Sequence, residues 1–203
     1  LFTIFTPIYI TLLDDLMNKR LSPFYLLTAA IAVLGAAIIR YNEVSDGFWL
    51  GFAVVQGANL CFAIGQVAYR QVAPQLPADV AHRHVFGWFY LGALALVIVM
   101  FLLFGSTDKL PSQPVHFVVL GWLGIVASGL GYFLWNKGAT RVDAGTLAIM
   151  NNALVPAGLL VNLLIWNRDA DLARLALGGA VIVAALVINQ MWARRREQAL
   201  RMA

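Results

Sequence analysis

The stretch AGTLAIMNNALVPAGLLVNLLIW, residues 144–166, decides the fold of this chain. It contains no Asp, Glu, Lys, Arg or His, and about 20 such apolar residues suffice to cross the hydrocarbon core of a bilayer as an α-helix. Six further apolar segments of similar kind occupy 1–17, 22–39, 47–69, 85–104, 115–136 and 172–192. None of them shows the two-residue alternation of a membrane barrel, so the sequence predicts an all-α integral membrane protein with seven visible transmembrane helices.

The composition agrees with a membrane protein. Of the 203 residues, 61% are hydrophobic and 12% are charged, against about 45–50% and 25% in soluble domains. The polar residues are too few to cover a water-soluble surface. A single cysteine, Cys61, excludes an internal disulfide, and three scattered histidines, His82, His84 and His116, do not form a zinc constellation. We therefore predict no metal, no cofactor and no enzyme activity.

Charged and polar residues gather in the connections at 18–20, 42–43, 74–79, 108–109, 137–143 and 167–171. If the spans alternate in direction, one side of the membrane holds ten of the 14 basic residues: Lys19, Arg20, Arg70, Arg83, Lys137, Arg141, Arg194, Arg195, Arg196 and Arg201. The positive-inside rule assigns that side, with the C-terminus, to the cytoplasm. We interpret the arginine run in the tail as an orientation signal and predict no nucleic-acid partner.

An internal repeat relates the two ends of the chain. Residues 1–39 align without a gap on 150–188 at an offset of 149, which places Pro7 on Pro156. One repeat then contains five spans, and an odd number gives two copies of inverted topology, as in secondary transporters. We expect three further spans before Leu1 and a ten-helix bundle of two inverted five-helix repeats. The alternative is a chance match in a protein of seven spans.

Polar side chains on two predicted spans suggest a solute path. Gln56, Asn59 and Gln66 follow one another at helical spacing on a single face of the third span. Uncharged amides of this kind can replace the hydration of a solute, although they also bond neighbouring helices. On the fifth span Tyr132 lies one turn deeper than Trp135. Tyr132 is either a path-lining residue or an interfacial anchor.

Two prolines mark corresponding positions of the repeat. Pro7 and Pro156 free the carbonyl oxygens of Thr3 and Asn152, and Asn151 adds a second amide beside the latter. Interrupted helices at matching positions indicate a transporter's binding region, and the alternative is a kink that serves packing. The carboxylates Asp14 and Asp15 are expected to be interfacial, screened by Lys19 and Arg20. A proton-relay role is the alternative.

Several stretches carry a resemblance to a known family, namely GAAIIRY (35–41), WFYLGA (88–93), VASGLGYFLWNKGATRVDAGTLAIMNN (126–152) and VPAGLLVNLLIW (155–166). With its ten-span plan, the chain resembles the EamA-type drug/metabolite transporters over essentially its whole length. It is most similar to the biotin-transporting members of the carboxylate/amino acid/amine transporter group. The resemblance implies that residues 1–41 end a first EamA repeat, that 47–193 form a complete second repeat, and that 194–203 are a basic tail.

The resemblance also implies a function. It indicates a secondary transporter in the lipid bilayer of the bacterial inner membrane, which takes up a small carboxylate such as biotin. The alternatives are an exporter of amino acids, metabolites or drugs on the same fold and, from another class, a membrane-embedded enzyme. The sequence leaves the oligomeric state open, and a homodimer is one of the assemblies considered.

Overall fold

The computed structural model describes residues 2–40, 48–77, 80–107, 110–166 and 171–202, and within these ranges the chain is entirely helical outside its turns. The predicted connections at 42–43, 78–79, 108–109 and 167–170 lie outside the described residues. The α-helices in chain order are α1 (Thr6–Met17), α2 (Pro23–Arg40), α3 (Phe48–Val72), α4 (His82–Phe104), α5 (Pro114–Trp122), α6 (Tyr132–Ala139), α7 (Ala144–Trp166) and α8 (Leu172–Met202).

Five helices in the described part of the chain are long and apolar enough to cross a membrane. They are Trp49–Gln75, His82–Phe104, Pro114–Ala139, Ala144–Ile165 and Leu172–Arg195, and a shorter apolar helix covers Pro23–Ile39. These match six of the seven predicted segments, and the chain is a multi-pass membrane protein.

The first predicted span is shorter than expected. A 3-10 turn at Phe2–Phe5 precedes α1, which has 12 residues. Pro7 lies in the first turn of α1, where a proline is tolerated because its missing N–H has no intrahelical partner. The proline therefore helps to set where α1 begins.

Helix α8 continues into the predicted basic tail at 194–203, as far as Met202. Arg, Glu, Gln, Ala and Leu, which fill this segment, are all good helix formers, so nothing in the local sequence ends the helix where the apolar run ends.

One compact unit comprises residues 1–68 and 142–203. Its core joins Ile4 before α1 to small and branched residues of α2, α7 and α8, namely Ala32, Val33, Ala36, Ile149, Ile182 and Ala185. The closest approach is between α2 and α8, where a Cβ on Gly35 would lie 2.8 Å from the carbonyl oxygen of Gly178. Glycine is required at this crossing because any side chain would meet the facing backbone.

A second compact unit comprises residues 69–141. Tyr69, Ala73 and Phe86 form its buried cluster, and Val85, Tyr132 and Phe133 pack against them. Between α5 and α6 the helix widens into a π-helical stretch at Leu123–Gly131. The hydroxyl of Tyr90 donates to the carbonyl of Ser128 in that stretch, which supplies a partner where the regular α-helical pattern is lost.

Candidate functional site

The polar face of α3 lies against α1 in the first unit. Asn59 is buried, and its amide Nδ2 donates to the Gln56 side-chain oxygen at 3.2 Å. The same oxygen accepts a hydrogen bond from the Tyr9 hydroxyl at 3.0 Å. Gln56 and Asn59, predicted as path residues from their spacing, are therefore in direct contact, and Tyr9 joins them from another helix.

Tyr9 was missed at the sequence level. Tyrosines near the ends of a span are usually interfacial anchors, but Tyr9 lies in the middle of the first apolar segment, at 1–17. That depth is the signal that could have identified it, because a hydroxyl far from the interface needs a partner inside the protein.

A reciprocal amide pair joins α3 to α7. The Asn151 Nδ2 donates to the Gln66 Oε1 at 3.2 Å, and the Gln66 Nε2 lies 3.5 Å from the Asn151 Oδ1. Asn151 also donates to the carbonyl of Leu147 at 2.8 Å. Gln66 is fully buried, with 0% of its surface exposed. Two residues that the sequence separated by 85 positions thus form one polar contact.

Asn152 makes a different kind of contact. Its side chain is 1% exposed, and its Nδ2 donates to the carbonyls of Ile4 at 3.0 Å and Ala32 at 3.1 Å. Both amide protons are thereby used to hold the start of the chain and α2 against α7. These two hydrogen bonds join the residues before α1, α2 and α7, and the predicted role of Asn152 in solute binding stays a prediction.

The two prolines also have different surroundings. The Thr3 carbonyl, which Pro7 leaves without its helical donor, accepts the Thr6 hydroxyl at 2.8 Å. Helix α7 continues without interruption through Pro156. The predicted break at Pro156 therefore amounts to one absent backbone hydrogen bond, that to the Asn152 carbonyl.

Thr3 and the segment around Pro156 border one open groove of about 150 Å³. Its lining combines one hydroxyl and one amide with apolar side chains, and consists of Thr3, Leu154, Val155, Gly158, Leu159 and Asn162. The groove brings Thr3 close to the stretch of α7 that follows Asn152, the residue aligned with Thr3 in the predicted repeat. Its volume is smaller than that of typical small-molecule sites.

Tyr132 belongs to the second unit. There its ring lies 6.0 Å from that of Phe86, in an edge arrangement. Two buried donors of the same unit, Gln71 Nε2 and Trp135 Nε1, have no hydrogen-bond partner among the described residues. A buried donor without an acceptor is costly. These two side chains are therefore further candidates for hydrogen bonding to a solute.

A further buried network in the first unit is structural. The Asn189 Nδ2 donates to Asp143 Oδ1 at 3.0 Å and to the Thr146 hydroxyl oxygen at 3.2 Å. Thr28 on α2 donates to the Asn189 Oδ1 at 3.3 Å. Asp143 also caps α7 by accepting the Thr146 backbone N–H. This network joins the first half of α2 and the start of α7 to the second half of α8.

An acidic pair, Asp14 and Asp15, lies at the end of α1. Asp14 Oδ2 is 3.0 Å from the Arg20 guanidinium. Asp15 Oδ2 accepts the backbone N–H of Ser22, the residue before α2, at 2.8 Å. Both carboxylates are buried within the protein. The predicted screening by Arg20 is present at Asp14, and the location of the pair at the membrane interface stays a prediction.

Comparisons with known proteins identify relatives of this chain. Residues 49–190 match the EamA-like transporter family. A solved structure described as "Crystal structure of protein" superposes with a TM-score of 0.77 at 20% identity, covering 95% of this chain and 66% of the other. At that identity the likeness concerns the fold alone.

Curated relatives are much more similar in sequence. The "Probable biotin transporter" of Pseudomonas aeruginosa is 52% identical over 96% of this chain and 68% of its own length. The "Biotin transporter" of Escherichia coli K12 is 47% identical over 97% of this chain and 65% of its own length. That of Salmonella typhimurium is 48% identical with the same coverage. The chain spans about two thirds of the length of these relatives.

Proposed function

The chain belongs to the EamA-like transporter family, and from this membership we propose that it moves biotin across the bacterial inner membrane as a secondary transporter. The observation that supports biotin as the substrate is the identity of 47–52% with proteins named as biotin transporters, over nearly the whole chain. A pocket that discriminates one small molecule depends on a few placed polar groups, which are more readily retained at this identity than at the 20% of the structural neighbour.

The polar face of α3 is the proposed contact surface for the solute. Gln56, Asn59 and Gln66 lie on this face, with Asn151 opposite on α7. Each amide can both donate and accept a hydrogen bond, as can the ureido group of biotin. The apolar walls of the spans suit its valerate chain. Tyr9, which donates to Gln56, completes this proposed site.

We propose that Asn152 and Thr3 hold in place the helices that form this surface. The Asn152 amide is used by two backbone carbonyls, and the Thr3 carbonyl by the Thr6 hydroxyl. In the second unit, Lys137 in the last turn of α6 is proposed to attract carboxylate solutes from the cytoplasm. Tyr132 is proposed to line the path in the same unit.

The inverted repeat is proposed as the architectural basis of transport. Helix α2 packs most extensively against α8, which is its equivalent at the offset of 149. Ala36 and its equivalent Ala185 are both fully buried. Asn152 also contacts the carbonyl of Ile4, beside its own equivalent position. On this basis we propose alternating access between two inverted halves, with the C-terminus in the cytoplasm.

Uptake in cells tests the substrate. A bacterial strain unable to make biotin and lacking its own permease is supplied with the protein expressed from its complete gene. We expect growth on limiting biotin and saturable uptake of labelled biotin, reduced by unlabelled biotin. Biotin methyl ester, which retains the ureido group and the chain but lacks the carboxylate, should compete poorly.

The control is a vector without the gene, with protein abundance in the membrane measured in parallel. Absence of growth and uptake, with the protein present in the membrane, would remove biotin as the solute. Export of preloaded amino acids or drugs in the same cells would then favour the exporter alternative.

A further inference from the structure

A groove in the first unit lies between the 3-10 turn before α1 and residues 154–162 of α7. Thr3 borders it on one side, and Leu154, Gly158 and Asn162 are exposed residues on its other side. Its volume of about 150 Å³ is enough for part of a small molecule, since complete small-molecule sites occupy about 300–1,000 Å³. Eight helical steps separate its two ends on α7, so the groove is about 12 Å long.

The groove follows the face of α7 on which Asn151 lies. Residues 151, 155, 158 and 162 are four, three and four positions apart, a spacing that puts side chains on one face of an α-helix. On this face Asn151 donates to Gln66 of α3 at 3.2 Å, and the other three positions line the groove. The proposed contact surface and the groove therefore occupy successive turns of the same helix face.

Asn151 and Asn162 lie at different depths along α7. Asn151 is two turns from the start of the helix, and Asn162 is about one turn from its end. The eleven positions that separate them correspond to about 16 Å along the helix axis. In the proposed topology the start of α7 is cytoplasmic, so the groove lies on the periplasmic side of the contact between Asn151 and Gln66.

Gly158 leaves the middle of the groove open. A Cβ at this position would meet nothing within 4 Å, whereas a Cβ on Gly35 would lie 2.8 Å from the Gly178 carbonyl oxygen. Close packing therefore does not require a glycine at position 158, and glycine inside a helix is less favourable than alanine. A role for the open space itself accounts for the glycine.

The polar groups of the groove are uncharged. Thr3 supplies a hydroxyl and Asn162 an amide, and each can both donate and accept a hydrogen bond. Leu154, Val155 and Leu159 form the apolar part of the lining. None of the described residues that line the groove is charged, so the groove suits a neutral hydrogen-bonding group joined to an apolar chain.

We propose that the groove is an outer subsite of the solute path, which holds the solute on the periplasmic side before it reaches Gln66 and Asn151. This inference rests on the transport function proposed above. The solute class is an amphipathic molecule whose neutral end both donates and accepts hydrogen bonds, as the ureido group of biotin does. That end contacts Asn162 and Thr3, and the apolar chain lies over Gly158.

Two substitutions in the groove test the inference. The protein expressed from its complete gene is reconstituted in vesicles, and the KM and kcat of labelled biotin uptake are measured. Gly158→Leu fills the groove from a position where a Cβ has open space, so we expect normal abundance and melting temperature but a raised KM. Asn162→Leu removes one hydrogen bond to the solute and should raise the KM about fivefold.

Gly92→Leu is the matched control for the filled groove. A Cβ on Gly92 would also meet nothing within 4 Å, and this glycine is at an exposed position of α4. We expect its KM to equal that of the wild-type protein. A wild-type KM in either groove variant would overturn the inference. Absence of biotin uptake by the wild-type protein would instead count against the transport function.

Access of water to the groove can be measured without transport. In a background whose native cysteines are replaced by serine, single cysteines are placed at Asn162 and, on the opposite face of α7, at the exposed Leu160. We expect a charged, water-soluble thiol reagent to modify the cysteine in Asn162→Cys but not that in Leu160→Cys, and biotin to slow the modification. An unmodified Asn162→Cys would show that lipid or another helix covers the groove and would refute the subsite. A modification rate that biotin leaves unchanged, in a protein that still transports biotin, would refute it as well.

Discussion

Replacement of Gln66 by leucine tests the proposed contact surface at its most buried residue. The substitution removes the amide pair with Asn151, whose two donor–acceptor distances are 3.2 Å and 3.5 Å. Because N–H···O hydrogen bonds usually span about 2.7–3.2 Å, we treat the loss as that of one hydrogen bond. Asn151 keeps its bond to the Leu147 carbonyl. Interhelical bonds in membranes average about 0.6 kcal/mol, so stability should change little. Loss of an amide contact to the solute, about 1 kcal/mol, should raise the dissociation constant for biotin about fivefold.

The assay is equilibrium binding of labelled biotin to purified protein in lipid nanodiscs, with thermal unfolding measured on the same preparations. Gln190→Leu is the matched control, because it repeats the same chemical change at an exposed position of α8. The double variant Gln66→Leu/Asn151→Leu should bind more weakly than the single one, since it removes a second amide of the proposed contact surface. Wild-type affinity in Gln66→Leu, with normal abundance in the membrane, would show that the pair serves packing and would refute the proposed site.

Three further outcomes follow from the contacts. Asn152→Leu leaves two backbone carbonyls without their donor and should lower the free energy of unfolding by about 1–2 kcal/mol, seen as a lower melting temperature with unchanged affinity in the folded fraction. Gly178→Val should reduce abundance in the membrane, because its Cβ would lie 2.4 Å from the Gly35 carbonyl oxygen and overpacking costs about 1–3 kcal/mol; normal abundance would contradict the close crossing. Tyr9→Phe removes the 3.0 Å bond to Gln56 and should weaken biotin binding severalfold, about 1 kcal/mol; equal affinity in a titration would exclude Tyr9 from the site.

Six of the seven spans were predictable from the sequence because they follow from hydropathy. The segment 144–166 appears as α7 with the same bounds, and 85–104 differs from α4 by three residues at its start. Local backbone geometry was less accessible. The π-helical stretch at Leu123–Gly131 has no signature in an apolar run, because it depends on how the helix packs.

The sequence proposes most residues of the candidate site but does not give the contacts that they make. Helical spacing correctly grouped Gln56 with Asn59 on one face of α3. The partner of Gln66 is 85 residues away, and that choice depends on which helices pack together, which a single sequence does not state. Asn151 and Asn152 are adjacent in the chain, yet one faces α3 and the other faces α2, because successive helical residues point in different directions.

Protection of introduced cysteines by biotin tests most directly whether the polar face of α3 lines the solute path. Cys61 is the one cysteine among these 203 residues. A background in which it and any cysteine outside this stretch are replaced by serine allows single cysteines to be placed at Asn59 and, as a comparison on the same helix, at the exposed Leu60. We predict that a charged, water-soluble thiol reagent modifies the cysteine in Asn59→Cys, that biotin slows this modification, and that Leu60→Cys is not modified. Modification of Asn59→Cys that biotin does not change, together with intact biotin binding, would contradict the account.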